Sequence, residues 1–447
     1  MGLHDVGPGH LAGGGKVGVA GVDLHPTRAI GVPMPKPERA KYGPAAFEGL
    51  AGSLPQPFPR TMGPNCLKYL QEVIDSGLTC DMVGRFERAF SEELGVKHCI
   101  ATPGCTPALA VLAAALGFGP GDEVIVSPIS DYGTLQGLVR ESYIPVFADT
   151  EPGSVNLSAE TISACLTDRT RAILVVHKTG LVPDMDAIDA LAEQHGLIVY
   201  EDACQAVFGE CKGRLVGTLA KAAGFSFDAE KTLGSDVGGC VVTDDDELAE
   251  RMRFVGQSRG AVAEPGFGRR HTVAGYAYRM AQSTAAITLG QLEIIREQVA
   301  HRDRMVRLLS YLIGRIPGVT PLPIPEWVNV YSCWMFGMSL DPTAFACTTG
   351  EFAAQLAEAG IPGAGMGEYY LLPAACTFLA ENAAAKRHPY SQPPASREYA
   401  YGADGCPNAR DFLRTFIRWS TFCEKYQPEH CELAAELVRQ VADRNRR

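Results

Sequence analysis

Cysteine pairs at short spacing are missing from this 447-residue sequence. Its fourteen cysteines include no C-x-x-C and no Cys/His group at zinc spacing, so neither a metal site nor a disulfide framework is expected. Positive charge is also scarce, with 40 Lys and Arg against 51 Asp and Glu for a formal net charge of −11 and no basic cluster to offset it. Nucleic acid and anionic membrane surfaces are excluded on that ground, because both require a cationic face. Long apolar runs are absent too: the longest, around Pro107 to Phe118, is too short to span a bilayer and runs into Gly119-Pro120-Gly121. The N-terminus lacks a basic stretch followed by an apolar one. A soluble protein of a reducing cytoplasm is the resulting expectation.

Apolar residues make up 46% of the chain, ample core for one large and one small domain. Residues 1–57 are read as an extended arm, since GPGHLAGGGKVGVAG and PMPKP cannot bury enough apolar surface to fold alone. No internal repeat is found, and no low-complexity tract beyond that arm. Helical periodicity marks Asn65 to Ser76 and Asp81 to Glu93. Strands then alternate with helices: strands at His98 to Thr102, Glu123 to Val126, Ile144 to Ala148, Ala172 to Val176 and Leu197 to Tyr200, with helices at Ala108 to Leu116, Ala159 to Leu166 and Met185 to His195. That order predicts an α/β fold with a mostly parallel sheet flanked by helices. Residues 58–282 form the expected large domain. A helix from Ser283 to Ile313 links it to a smaller α+β domain, 283–447, with a strand at Ser332 to Leu340, helices at Thr349 to Ala359 and Cys406 to Leu413, and a loop from Ala384 to Gly405.

Ligands on such sheets gather at the C-terminal strand ends, where Gly104 to Thr106, Tyr132, His177 and Asp202 fall. The apolar run Leu197 to Tyr200 ends in Glu201-Asp202, and a lone Lys231 follows in a turn between two further apolar runs. A buried carboxylate can keep a pyridine nitrogen protonated, and a nearby lysine can bond to an aldehyde. Each residue alone has an ordinary reading as a turn cap or a solvated loop lysine. In Thr102-Pro103-Gly104-Cys105-Thr106-Pro107, glycine before and proline within a first helical turn leave amides that attract a phosphate, or that make a simple helix cap.

Taken together, Glu201-Asp202-Ala203-x-Gln205, then Gly224-Phe225-Ser226-Phe227, Lys231, Gly238-Gly239 and Thr243 resemble the DegT/DnrJ/EryC1/StrS family of sugar aminotransferases. The resemblance runs from about residue 58 to 440. It implies the type I fold of aminotransferases that use pyridoxal phosphate, with Lys231 holding the cofactor and moving a proton, Asp202 at the ring nitrogen and Gln205 near the ring hydroxyl. Gly104, Cys105, Thr106 and Ser226 take the phosphate, with Cys105 standing where the family has Gly, and Tyr132 stacks on the ring. His177 is placed near the cofactor or as a satisfied structural histidine. GYAYRM, residues 275–280, resembles a segment that reaches the neighbouring subunit's site, so a homodimer is expected with Tyr276 and Arg279 delivered across it. Ala277 replaces the usual Asn, and Arg279 is the candidate substitute. The donor implied is glutamate or glutamine, and the acceptor a keto-sugar or keto-cyclitol. Two alternatives stay open: an aminated aromatic acid made from a keto-cyclohexane acid, and a non-catalytic accessory subunit.

Overall fold

The computed structural model describes residues 54–257, 261–266, 268–271, 273–367, 370–419 and 421–447. Apart from residues 54–57, of which Leu54 is buried, the expected N-terminal arm lies outside them.

Two amphipathic helices come first, α1 (Cys66–Asp75) and α2 (Met82–Leu94). Asp81 starts α2 by accepting the Gly84 amide, and Gly95, in the left-handed region, ends it. Phe86 and Phe90, one turn apart, place their rings edge-on against Phe225 and Phe227. This packing holds the strand that carries Ser226.

The strands β1 (His98–Thr102), β2 (Glu123–Val126), β3 (Ile144–Phe147), β4 (Thr170–Val176) and β5 (Ile198–Asp202) are followed by a short hairpin of β6 (Glu210–Cys211) and β7 (Arg214–Leu215). Then come β8 (Ala222–Ser226) and β9 (Gly239–Thr243). All but the hairpin strands form one sheet in the order β1-β9-β8-β5-β4-β2-β3. Within it β2, β3, β4, β5 and β8 pair in parallel, and β9 runs against both β1 and β8. Successive residues of a strand enter different cores: Cys99, Ile125, Ile173 and Val199 join one apolar cluster, while Ile100, Val124, Leu174 and Tyr200 join another. A sheet covered on both faces needs such continuously apolar strands. The covering helices include α3 (Cys105–Leu116), α4 (Gly133–Arg140), α5 (Ala159–Ser163), α6 (Met185–His195) and α7 (Asp246–Gln257).

The long helix α8 (Gln282–Ile313) leads to a four-stranded antiparallel sheet of Val319–Pro321, Phe336–Leu340, Phe416–Trp419 and Ala364–Met366, in that order. The strand expected from Ser332 starts only at Phe336. Residues 332–335 instead turn back onto the segments that follow β5 and β8, where Ser332 donates to the Val207 carbonyl at 2.7 Å and the Trp334 indole to the Glu230 carbonyl at 2.9 Å. The helix expected from Ala159 to Leu166 stops at Ser163. No helix among the described residues is long and apolar enough to cross a membrane.

Candidate active site

A cavity of about 510 Å³ opens at the C-terminal strand ends, and Gly104, Cys105, Thr106, Asp202, Gln205, Ser226 and Lys231 all line it. The sequence separates these residues by more than a hundred positions, and the parallel sheet brings them together.

The helix end of the cavity is set by close backbone contact. A Cβ on Gly239 would meet the Gly104 carbonyl carbon at 2.5 Å and the Phe225 oxygen at 2.7 Å, so only glycine lets β9 lie against the turn that starts α3. Within that turn the Ala108 amide bonds to the Gly104 carbonyl at 3.1 Å. The amides of Cys105 and Thr106 precede it in the first turn, where an α-helix has no internal partners for them. The hydroxyls of Thr106 and Ser226 are at hand to complete an anion cradle.

Asp202, the last residue of β5, is buried. Thr134 donates to its Oδ2 at 2.7 Å and the Cys204 amide to its Oδ1 at 3.3 Å. Burial pushes the Asp202 carboxyl upward, and those two hydrogen bonds and the Lys231 charge pull it back only in part. Lys231 is half-buried, with Nζ 3.7 Å from the centre of the Trp334 ring. Burial draws its amine down, opposed first by the charge of Asp202 and then by Asp228, Asp131 and Glu230. Each group favours the other's charged form, and desolvation outweighs that attraction for both.

The turn carrying Lys231 is fixed from several sides. Arg60 donates to the carbonyls of Ala229, Lys231 and Thr232, each at 2.8 Å. Gln291 of α8 donates to the Gly234 carbonyl at 3.2 Å, and Trp334 closes on Glu230. Gln205 has its carbonyl oxygen held by the Thr179 amide at 2.7 Å, so what it offers a ligand is its NH₂.

Other expected residues lie elsewhere. Tyr132 precedes α4, is 57% exposed and is not part of the cavity wall, so the ring-stacking role gains no support from its position. His177 is fully buried with Nε2 2.8 Å from Glu201 Oε2, and Glu201 also accepts the amides of Gly217, Leu219 and Ala220. That network satisfies one ring nitrogen of His177, while its buried Nδ1 has no hydrogen-bond partner among the described residues, so the structural alternative is only half met. Tyr276 donates to Glu141 at 2.5 Å and stacks on Tyr278 at 4.6 Å, beside a different hollow between α3 and α7. Arg279 is exposed. Neither reaches the cavity of its own chain.

Several residues carry no signal in the sequence. Thr134, Arg60 and Trp334 act on the acid or the lysine only through the fold. Lys178, in V-H-K-T-G, is wholly buried with no hydrogen-bond partner for Nζ among the described residues. It rests 3.6 Å over the ring of Tyr370, whose hydroxyl accepts from Arg418. Burial first, and the charge of Lys231 second, bring the Lys178 amine down to about 7. The cysteine expectation also needs correction. Cys105 and Cys204 form a disulfide with Cα atoms 6.7 Å apart, while the other twelve are unpaired. Spacing along the chain could not signal this pair, because 99 residues separate its members and only the fold brings the start of α3 near the residues that follow β5.

The mostly parallel sheet, its flanking helices and the smaller antiparallel sheet define the type I fold of pyridoxal-phosphate-dependent aminotransferases. The model of the DegT/DnrJ/EryC1/StrS aminotransferase family matches residues 61–400, and the chain belongs to that family of enzymes. It is 36% identical over 276 residues to the GDP-perosamine synthase of Caulobacter vibrioides, covering 61% of this chain and 73% of that one. With the spore coat polysaccharide biosynthesis protein SpsC of Bacillus subtilis it shares 30% identity over 363 residues, 79% of this chain and 88% of the relative. Among solved structures, 3-amino-5-hydroxybenzoic acid synthase superposes with a TM-score of 0.74 at 26% identity, over 88% of this chain and 100% of the other. The aminotransferase TlmJ of Streptoalloteichus hindustanus gives 0.71 at 25%, over 88% and 98%.

Proposed function

We propose that this aminotransferase uses pyridoxal 5'-phosphate to move an amino group from glutamate or glutamine to a keto-sugar or keto-cyclitol in aminosugar or secondary-metabolite biosynthesis. The observation that carries the proposal is the pairing of a partly desolvated amine, Lys231, with a buried carboxylate, Asp202, on one cavity that ends at open helix amides. These residues fit the cofactor. The first turn of α3, with Thr106 and Ser226, suits its phosphate; Asp202, costly to bury as a lone anion, suits a protonated ring nitrogen; Gln205 can donate near the ring hydroxyl.

When bound, the cofactor supplies an aldehyde to receive the amino group and a ring that withdraws electrons. The chain's own residues do the rest. Lys231, drawn toward neutrality by burial, is suited to hold the cofactor and to carry a proton at the donor's Cα. Arg60, Gln291 and Trp334 keep its turn in place while it does so. Residues 58–282 are assigned as the cofactor-binding domain, 283–447 as the linking helix and small domain, and 1–57 as an arm. A cytoplasmic homodimer with Tyr276 and Arg279 presented to the partner's cavity completes the reading.

A second acceptor class, a cyclic ketone bearing a carboxylate, is favoured by Arg418, whose guanidinium lies 4.9 Å from the ring centre of the cavity-lining Tyr370. The test is spectroscopic. Addition of pyridoxal phosphate should give the absorption band of a lysine-bound cofactor, and glutamate or glutamine should convert it to the amine form. A chain that forms no such band, or whose band no amino acid converts, contradicts the proposal. Ketone substrates with and without a carboxylate then separate the two acceptor classes.

A further inference from the structure

The joined pair Cys105 and Cys204 lines the same cavity as Lys231 and Asp202. Cys105 is the first residue of α3, Cys204 follows Asp202 by two, and both line the space around Lys231. Their sulfurs and the nearest carboxylate oxygen of Asp202 lie within 4.8 Å of one another, and the Cys204 amide donates to the same carboxylate. The bridge therefore runs from the helix start assigned to the phosphate to the acid assigned to the ring nitrogen. The twelve other cysteines, nine of them buried, remain unpaired, so cysteine abundance alone does not account for a bond at this place.

We propose that Cys105 and Cys204 are a reversible modification site, closed by a small-molecule disulfide and opened by a dithiol, whose state sets how tightly the chain holds pyridoxal phosphate. The inference rests on the cofactor assignment above. Closure takes two exchanges. The thiolate of one cysteine attacks the external disulfide, which breaks its S–S bond, expels one thiolate and leaves a mixed disulfide. The second cysteine, losing its proton, attacks the protein sulfur of that mixed disulfide and expels the second thiolate. Two protein thiols give up two protons and two electrons, and the external disulfide is reduced to two thiols.

Closure favours binding for two reasons. With the bridge formed, the start of α3 is tied to the residues after β5, so the phosphate amides and the ring acid keep one spacing before the cofactor arrives, and less ordering is required on binding. Opening the bond also sends two sulfurs apart to van der Waals separation. Behind Cys204 stands the Gly224 carbonyl, 3.8 Å from its sulfur, and the backbone before Cys105 is pressed against Gly239. Room for the separated thiols lies on the cavity side, where the cofactor is expected.

The experiment sets cofactor-free protein to each state with oxidised glutathione or dithiothreitol, removes the reagent by desalting, maps peptides without reduction and titrates with pyridoxal phosphate by absorbance. The expected result is a peptide pair joining Cys105 to Cys204 only in the oxidised sample, with the cofactor held about tenfold tighter there. Cys204→Ser should show no such peptide and should bind the cofactor equally after either treatment. Failure to detect the joined peptide after oxidation, or equal affinity in the two states of the unsubstituted chain, overturns the proposal. A joined peptide with no cofactor uptake in either state overturns the cofactor assignment and the control over binding with it, an outcome distinct from equal uptake.

Discussion

Thr134 donates a 2.7 Å hydrogen bond to Oδ2 of Asp202, a carboxylate that burial pushes toward its neutral form. The hydroxyl is one of the groups keeping that acid able to ionise. Thr134→Val removes it with little change in shape, so the Asp202 carboxyl moves further upward and less of it is charged at a given pH. The acid limb of the activity profile should shift to higher pH, with kcat lower by about tenfold or more, the loss of one hydrogen bond to a charged group. An unchanged limb in a kcat-against-pH series would remove Asp202 from its assigned place.

Lys231→Ala should fold, since the side chain's ring contact is with Trp334 and its backbone partners are kept, yet lose the lysine-bound absorption band. Turnover should fall by about 10³-fold or more, the scale of removing a positioned acid–base group. Measuring the band and single-turnover rates together distinguishes this from loss of cofactor binding.

Arg60 is a positioning residue for that lysine. Replacing it by Met leaves the carbonyls of Ala229, Lys231 and Thr232 without the guanidinium, and unfolding free energy should drop by about 1.5–3 kcal/mol, read from denaturant midpoints. Arg60→Lys should restore only part of it, because a single ammonium lacks the planar fork that reaches three oxygens. Full recovery in Arg60→Lys would show that charge and not geometry holds the turn.

Lys178 gives a pH signature. Its amine falls to about 7 in the folded chain from an ordinary 10.5, so the unfolded chain binds the extra proton between those values. The sign is that of a depressed base: its burial costs most stability below about pH 7, and the cost fades as pH rises toward 10.5. Lys178→Met in cofactor-free protein should therefore be more stable than the unsubstituted chain at pH 6, by about 1–4 kcal/mol, with the gap shrinking by pH 9.5. A gap that is constant with pH would mean the amine does not titrate there.

The shared-site assignment is open to a mixing test. Lys231→Ala and Arg279→Ala chains, each of low activity alone, should recover about a quarter of normal activity when unfolded and refolded together in equal amounts, since hybrid dimers hold one site with both residues intact. Recovery no greater than the sum of the two parents would place Arg279 outside the partner's site.

Much of the fold could be read locally. Alternation of apolar strand runs with helical periods is a property of neighbouring residues, and it placed β1 to β5, α6 and α8 to within a few positions. The start of the strand at Phe336 could not be read that way, because Ser332 to Trp334 leave an apolar pattern to bond with Val207 and Glu230. The same division runs through the site. Asp202, Ser226 and Lys231 stand at strand ends and in turns, where local pattern shows them, and the structure brings all three to one cavity.

By itself, then, the sequence determined which residues have the chemistry, since the order of apolar runs, acids, glycines and one turn lysine is written along the chain. Tertiary structure alone decided the environment that gives them their properties. Thr134 on Asp202, Arg60 beneath the Lys231 turn, Lys178 buried over the ring of Tyr370 and the bridge from Cys105 to Cys204 join positions 68, 171, 192 and 99 residues apart. Desolvation, hydrogen bonding across elements and sulfur pairing depend on distance in space, which one-dimensional spacing does not encode.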